Sequence, residues 1–167
     1  MNETAPIYEL ARCATVEQDA AIDMLKAHPD LLNARTSIGE TALHYLVVEN
    51  HLEGVKFLIQ QGAEINSQSN FGDTPLMDAA RLNYVGMCRF LIGHGAGLNV
   101  KNIESETALH RAASAGATVI VNLLIEAGAE VHARDSLGES LLDAAPPEKR
   151  SELIGILAKH GYDEAHI

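Results

Sequence analysis

The chain has 167 residues, of which 47% are hydrophobic and 21% charged, so it is long enough for one folded domain and is not composed like a disordered segment. Its formal net charge of −11 would repel phosphate backbones and anionic membrane surfaces, so neither nucleic acid nor membrane is an expected partner. The opening MNETAPIYEL lacks the pattern of a signal peptide, and no apolar run reaches the ~20 residues of a spanning helix. With two separate cysteines and no CxxC pattern, we expect a cytoplasmic protein with reduced thiols.

Residues of one kind recur every 33 positions along most of the chain. Leucine occupies two such rows, a hydroxyl residue a third and glycine a fourth. The rows are Leu10, Leu43, Leu76, Leu109 and Leu142; Leu25, Leu58, Leu91, Leu124 and Leu157; Thr41, Thr74, Thr107 and Ser140; and Gly62, Gly95, Gly128 and Gly161. A constant period without insertions predicts a stack of similar structural units.

In chain order the repeats span 6–38, 39–71, 72–104, 105–137 and 138–167. Within a repeat, a hydroxyl residue begins a short helix. Asn50, Asn83 or Gly116 ends it, because these residues accept left-handed backbone. A second helix with apolar residues at helical spacing follows and ends at glycine. The first repeat lacks the hydroxyl and the glycine. In the last repeat, Pro146 and Pro147 predict that the first helix is shortened.

The repeated motifs identify a resemblance. The segments TALHYL, TPLMDA and TALHRA resemble the T-P-L-H-x-A opening of ankyrin repeats, and GAEINS, GAGLNV and GAEVHA resemble their G-A-D-V-N-A segment. This resemblance implies an all-α repeat solenoid of helix-turn-helix pairs with short β-hairpin fingers, forming a single domain over residues 1–167. The atypical first and last repeats would then be caps.

The repeated string ETALH, at 40–44 and 106–110, places a hydroxyl and an imidazole three residues apart. The same slot holds His44, Met77, His110 and Asp143, and a catalytic pair would not alternate with methionine. We therefore expect Thr and His to fix the start of the helix. Because no metal-ligand spacing or phosphate loop occurs either, we predict neither catalytic residues nor a metal nor a cofactor.

A row of acids precedes the helix starts, and the resemblance places it on fingers that line a concave binding surface. Arg35, Gln68, Lys101 and Arg134 lie five residues earlier, so the acids either pair within each finger or form an acidic stripe. Apolar residues at the finger tips either stack on one another or anchor a partner. The candidate partner-binding residues, including variable positions of the first helices, are Ile38, Glu40, Val48, Glu49, Phe71, Asp73, Arg81, Leu82, Glu104, Glu106, Ser114, Leu137 and Glu139.

The expected function is therefore non-catalytic binding of a partner protein with a basic or apolar surface, by a monomer of this chain. The alternative is regulation or inhibition of a partner enzyme through the same surface, since small cyclin-dependent-kinase inhibitors of this family have similar length. An enzyme or a metal protein is the least favoured interpretation.

Overall fold

The computed structural model describes residues 5–162, and in that range it contains helices and turns but no strand. The chain forms two compact units, residues 1–75 and 76–167. The single domain over 1–167 and the count of five repeats stay predictions. Residues 1–4 of the opening segment and 163–167 of the last predicted repeat lie outside the described residues.

The first unit consists of two helix pairs. Its helices are α1 (Ala5–Val16), α2 (Gln18–Ala27), a 3₁₀ helix (Pro29–Asn33), α3 (Ala42–Val48) and α4 (Leu52–Gln60). α1 packs against α2, α3 and α4, and α3 packs against α4. The 3₁₀ helix begins at Pro29, which occupies the slot that glycine fills elsewhere, so the first pair ends differently from the second.

The second unit contains three helix pairs, with α5 beginning at the last residue of the first unit. Its helices are α5 (Pro75–Arg81), α6 (Val85–Gly93), α7 (Ala108–Ser114), α8 (Thr118–Glu126), α9 (Leu141–Ala144) and α10 (Pro147–Lys159). α7 packs against both α8 and α9, and α8 packs against α6 and α10. The shortening of α9 to one turn confirms the effect predicted for Pro146 and Pro147.

The buried Thr–His pairs begin two of the first helices, as predicted. The Thr41 backbone N–H donates to Nδ1 of His44 at 3.2 Å, and the Thr41 side chain accepts from the backbone of the same histidine. Thr107 and His110 form the same capping box in α7. At α9 the box is formed by Ser140 and Asp143, whose carboxylate accepts both the Ser140 N–H and its hydroxyl. The pairs therefore satisfy donors at the helix start that would otherwise be buried without partners.

Left-handed residues close the helices where the sequence predicted them. Asn50, Asn83 and Gly116 have φ of 54°, 58° and 64° at the ends of the first helices. The glycines after the second helices also have positive φ, from 81° to 95°. Since glycine has no Cβ, it adopts this backbone without the strain that other residues meet.

The two leucine rows contribute large side chains to the buried aliphatic core, together with many alanines. In the first row Leu10, Leu43, Leu76 and Leu109 are buried, and in the second Leu58, Leu91, Leu124 and Leu157 are. Leu25 and Leu142, which lie in the first and last helix pairs, are half-buried. In the last pair Leu141 is fully buried instead.

Leu91→Ala should lower the free energy of unfolding by ~2–5 kcal/mol, because it opens a cavity at a fully buried position of α6. Denaturant unfolding followed by circular dichroism measures the loss. The matched control is Leu137→Ala, the same change at an exposed position. A loss below ~1 kcal/mol at position 91 would contradict the observed packing.

Stability should fall as the pH drops from 7 to 5, in part because of His110. Burial lowers the pKa of His110, although the carboxylates of Asp135 and Glu106 oppose this shift. The carbonyls of Ala133 and Glu139 lie nearby, but Nε2 of His110 has no hydrogen-bond partner of normal geometry within the described residues, so burial prevails. The unfolded chain takes up a proton below pH ~6.5 while the folded imidazole stays neutral, and this favours unfolding.

His110→Met, which copies the natural occupant of the equivalent slot at Met77, should flatten this pH dependence. Denaturant midpoints at pH 5, 6 and 7 provide the comparison, and the NMR titration of the His110 ring reports its pKa directly. Retention of the full pH dependence in the variant would contradict a contribution of His110.

Candidate functional site

Four turns precede the first helices of the later pairs, and they carry the predicted finger residues. These tip turns, as we call them, span 36–40, 69–73, 102–106 and 135–139. In each, the first N–H donates to the last carbonyl at 2.8–3.1 Å, and the fourth N–H donates back to the first carbonyl at 2.9–3.2 Å. The predicted fingers are thus hydrogen-bonded turns that are too short to be strands.

Glycine at the fourth position of three tip turns permits their left-handed backbone, with φ of 78° to 80°. Ser105 adopts a similar φ of 61° in the turn that lacks glycine. At Gly39 there is a second constraint, because a Cβ there would lie 2.5 Å from the backbone nitrogen of Asn70. The turn at 69–73 therefore approaches the preceding one more closely than any side chain would allow.

Neighbouring tip turns within each unit are bonded to one another. In the first unit, the Asn70 backbone N–H donates to the Ile38 carbonyl and its side-chain amide donates to the Ser37 carbonyl, both at 2.9 Å. In the second unit, the Ser136 N–H donates to the Glu104 carbonyl at 2.7 Å. These bonds fix the position of each turn relative to its neighbour in the same unit.

Large apolar side chains project from the tip turns into solvent. The relative exposures are 45% for Ile38, 55% for Phe71, 68% for Ile103 and 79% for Leu137. Ile103 is not among the predicted partner-binding residues, because Glu104 occupies the slot equivalent to that of Ile38, Phe71 and Leu137. Every tip turn thus exposes one large apolar group.

The basic and amide side chains at 35, 68 and 134 bind turn carbonyls. Arg35 donates to the Gly39 carbonyl at 3.4 Å, Gln68 to Gly72 at 2.8 Å and Arg134 to Gly138 at 2.9 Å. Arg35 also donates to the Gln68 carbonyl, directly before the next tip turn. This row therefore stabilises the turns through their glycine carbonyls, a role that the comparison with the acids had not suggested.

The acids end the tip turns, and the best-defined of them is Glu106. Its carboxylate lies 3.0 Å from Nε of Arg111 and accepts from the Asn102 amide at 2.9 Å. Glu104 is 4.0 Å from the same guanidinium. Glu40, Asp73 and Glu106 are half-buried and Glu139 is exposed. The acids therefore remain within reach of solvent, while Glu106 is held by a residue of α7.

The first-helix candidates lie at or just after the ends of α3, α5 and α7. Val48, Glu49, Arg81 and Ser114 are exposed, and Leu82 is half-buried. Arg81 pairs with Asp78 at 3.3 Å, and the Ser114 hydroxyl donates to the Arg111 carbonyl at 3.1 Å. None of the thirteen candidate side chains is buried.

The first unit also contains a cavity of about 220 Å³ beside α1 and α3. It is lined by Tyr8, Ala11, Arg12, Thr15, Tyr45, Leu46, Glu49 and His51. Of these only Glu49 was among the predicted site residues. Two tyrosines on neighbouring first helices are a signal in a chain with 4% aromatic residues, but they do not share a repeat slot.

The thiols of Cys13 and Cys88 are buried in the core. Burial raises the pKa of Cys88 to about 12 and also raises that of Cys13. Both are therefore protonated thiols with little nucleophilic character at neutral pH. Across residues 5–162, no three His, Cys, Asp or Glu side chains are grouped so as to hold a metal ion. No helix in that range is long and apolar enough to cross a membrane.

Comparison with known proteins gives one family. The family model described as ankyrin repeats (3 copies) matches residues 10–102 and again residues 44–135. No curated protein matches the sequence. The two matches together extend from α1 to the start of the last tip turn, over most of the chain, and the chain therefore belongs to the ankyrin-repeat family.

Proposed function

We propose that this chain binds a partner protein through its tip turns and the exposed ends of its first helices, without catalysing a reaction. Ankyrin repeats are generally protein–protein interaction modules and are typically non-catalytic. The observation that carries the proposal is the exposed apolar residue on every tip turn. A single exposed apolar side chain is ordinary on a protein surface, but here the exposure recurs on all four tip turns, and apolar surface that is grouped in this way marks interaction sites.

The turns suit this role because they are ordered before binding. Two closing hydrogen bonds, a carbonyl-binding side chain and bonds to the neighbouring turn hold Phe71 and its tip in place. A partner that covers Phe71 or Leu137 gains apolar burial without having to order a loop. Such preorganisation lowers the entropic cost of association.

The acids beside the tips define the polar part of the proposed surface. Glu40, Asp73 and Glu106 end turns whose tips are apolar, so a partner would meet apolar groups with carboxylates beside them. A net charge of −11 would further speed the approach of a basic partner, more strongly at low salt than at high salt. We therefore propose a partner whose contact surface combines apolar and basic groups.

Phe71→Ala and Leu137→Ala should each weaken binding about five- to thirtyfold while preserving the helical circular dichroism, because each removes an exposed anchor. The partner is first isolated by affinity capture with the natural chain, and its Kd is then measured by calorimetry. The matched control is Val119→Ala, an exposed apolar residue of α8 away from the tip turns, which should leave the Kd unchanged.

Unchanged affinity in both tip variants would reject the proposed surface. Where the captured partner is an enzyme, its turnover with and without this chain distinguishes a regulator from an adaptor.

A further inference from the structure

The cavity of the first unit has the composition of a site for a cationic side chain. Tyr8 and Tyr45 lie on its wall with their ring centroids 5.2 Å apart and their planes at 69°, in an edge-to-face arrangement. Both rings are exposed. Aromatic faces attract a guanidinium or an ammonium group within about 6 Å of the ring centroid.

The positive charge on the cavity wall is already compensated. Nη2 of Arg12 lies 2.7 Å from Oε1 of Glu9, and its Nη1 lies 3.9 Å from Oε1 of Glu17. The hydrogen bond from Arg12 lowers the pKa of Glu9, which keeps that partner ionised. Nδ1 of His51 accepts the Gly54 N–H at 3.1 Å and so caps α4.

Glu49 supplies a carboxylate on the same wall. It is exposed, and within residues 5–162 no basic side chain forms an ion pair with it. The uncompensated charge of the cavity is therefore negative. The whole first unit has the same sign, since residues 1–75 contain eleven Asp and Glu against four Lys and Arg.

The apolar part of the wall fits the stem of a long basic side chain. Ala11 and Leu46 line the cavity beside the rings. Arginine and lysine bury their methylene groups against such surfaces while their charged ends meet polar groups. An enclosed space of about 150 Å³ holds a benzene molecule, so a cavity of about 220 Å³ has room for one such side chain.

We infer that this cavity receives an arginine or lysine side chain from a basic segment of the partner. Its charged end would contact the rings of Tyr8 and Tyr45 and the carboxylate of Glu49. The inference rests on the proposed function and adds the chemistry of the partner. A neutral or acidic side chain would leave Glu49 without a counter-charge and gain no attraction from the rings.

The test uses short capped peptides as probes, Gly-Ser-X-Ser-Gly with X as arginine, norleucine or glutamate. Each is titrated at low ionic strength into the full chain while the tyrosine ring resonances are followed by NMR. We expect only the arginine peptide to shift the Tyr8 and Tyr45 resonances in a saturable way. Tyr84 and Tyr162, which do not line the cavity, serve as internal references.

Glu49→Gln should raise the Kd of the arginine peptide about threefold or more. Its matched control, Glu64→Gln, removes the same charge from the same unit at an exposed position outside the cavity and should have less effect. Tyr45→Phe should retain binding, because the ring remains, whereas Tyr45→Leu should lose it.

Equal binding of the norleucine or glutamate peptide, or equal effects of Glu49→Gln and Glu64→Gln, would overturn the inference. With the captured partner, loss of affinity in the tip variants but not in Glu49→Gln would overturn only the cavity assignment. Affinity that is insensitive to both sets of variants would overturn the proposed surface itself.

Discussion

The imidazole of His44 is the link on which the arrangement of the first unit depends. Its Nδ1 accepts the Thr41 N–H at the start of α3, which places the proton on Nε2. Nε2 in turn lies 3.2 Å from the carbonyl of Asp73, the last residue of the next tip turn. One buried side chain therefore couples a helix start to the following turn, so the histidine of ETALH also contributes to the position of the turn that carries Phe71.

His110 repeats the Nδ1 hydrogen bond of His44 but not the bond of its Nε2. The difference shows how burying an imidazole lowers stability when one of its nitrogens is poorly paired. Its Nδ1 caps α7 as in the first unit, but its Nε2 has no hydrogen-bond partner of normal geometry among the described residues, although the carbonyls of Ala133 and Glu139 lie nearby. A buried donor without a well-aligned acceptor loses its hydration with only partial compensation. Met77 and Asp143 in the same slot avoid that cost, since the thioether has no proton to satisfy and the carboxylate turns back to Ser140. Successive repeats therefore keep this position in the structure while the side chain that occupies it differs.

The sequence predicted what depends on residue type at a fixed slot: helix starts at hydroxyls, left-handed ends at Asn50 and Gly116, and buried leucines. It was less informative about side chains that reach across a turn. The row of Arg35 and Arg134 suggested pairing with the acids five residues later, whereas the bonds from Arg35 to the Gly39 carbonyl and from Arg134 to the Gly138 carbonyl were not predicted. Distance along the chain alone does not distinguish these acceptors.

The cavity escaped prediction for a related reason. Tyr8 and Tyr45 are 37 residues apart, so they do not align in a period of 33, and the slot of Tyr45 holds Arg12 in the preceding repeat. Their contact arises because α1 packs against α3 with the long side chains of both helices bridging the gap between them. Slots that repeat the same residue build the same scaffold each time and offer every partner the same chemistry. Selective recognition therefore has to come from positions at which neighbouring repeats differ. Tyr45 and Glu49 occupy two such positions.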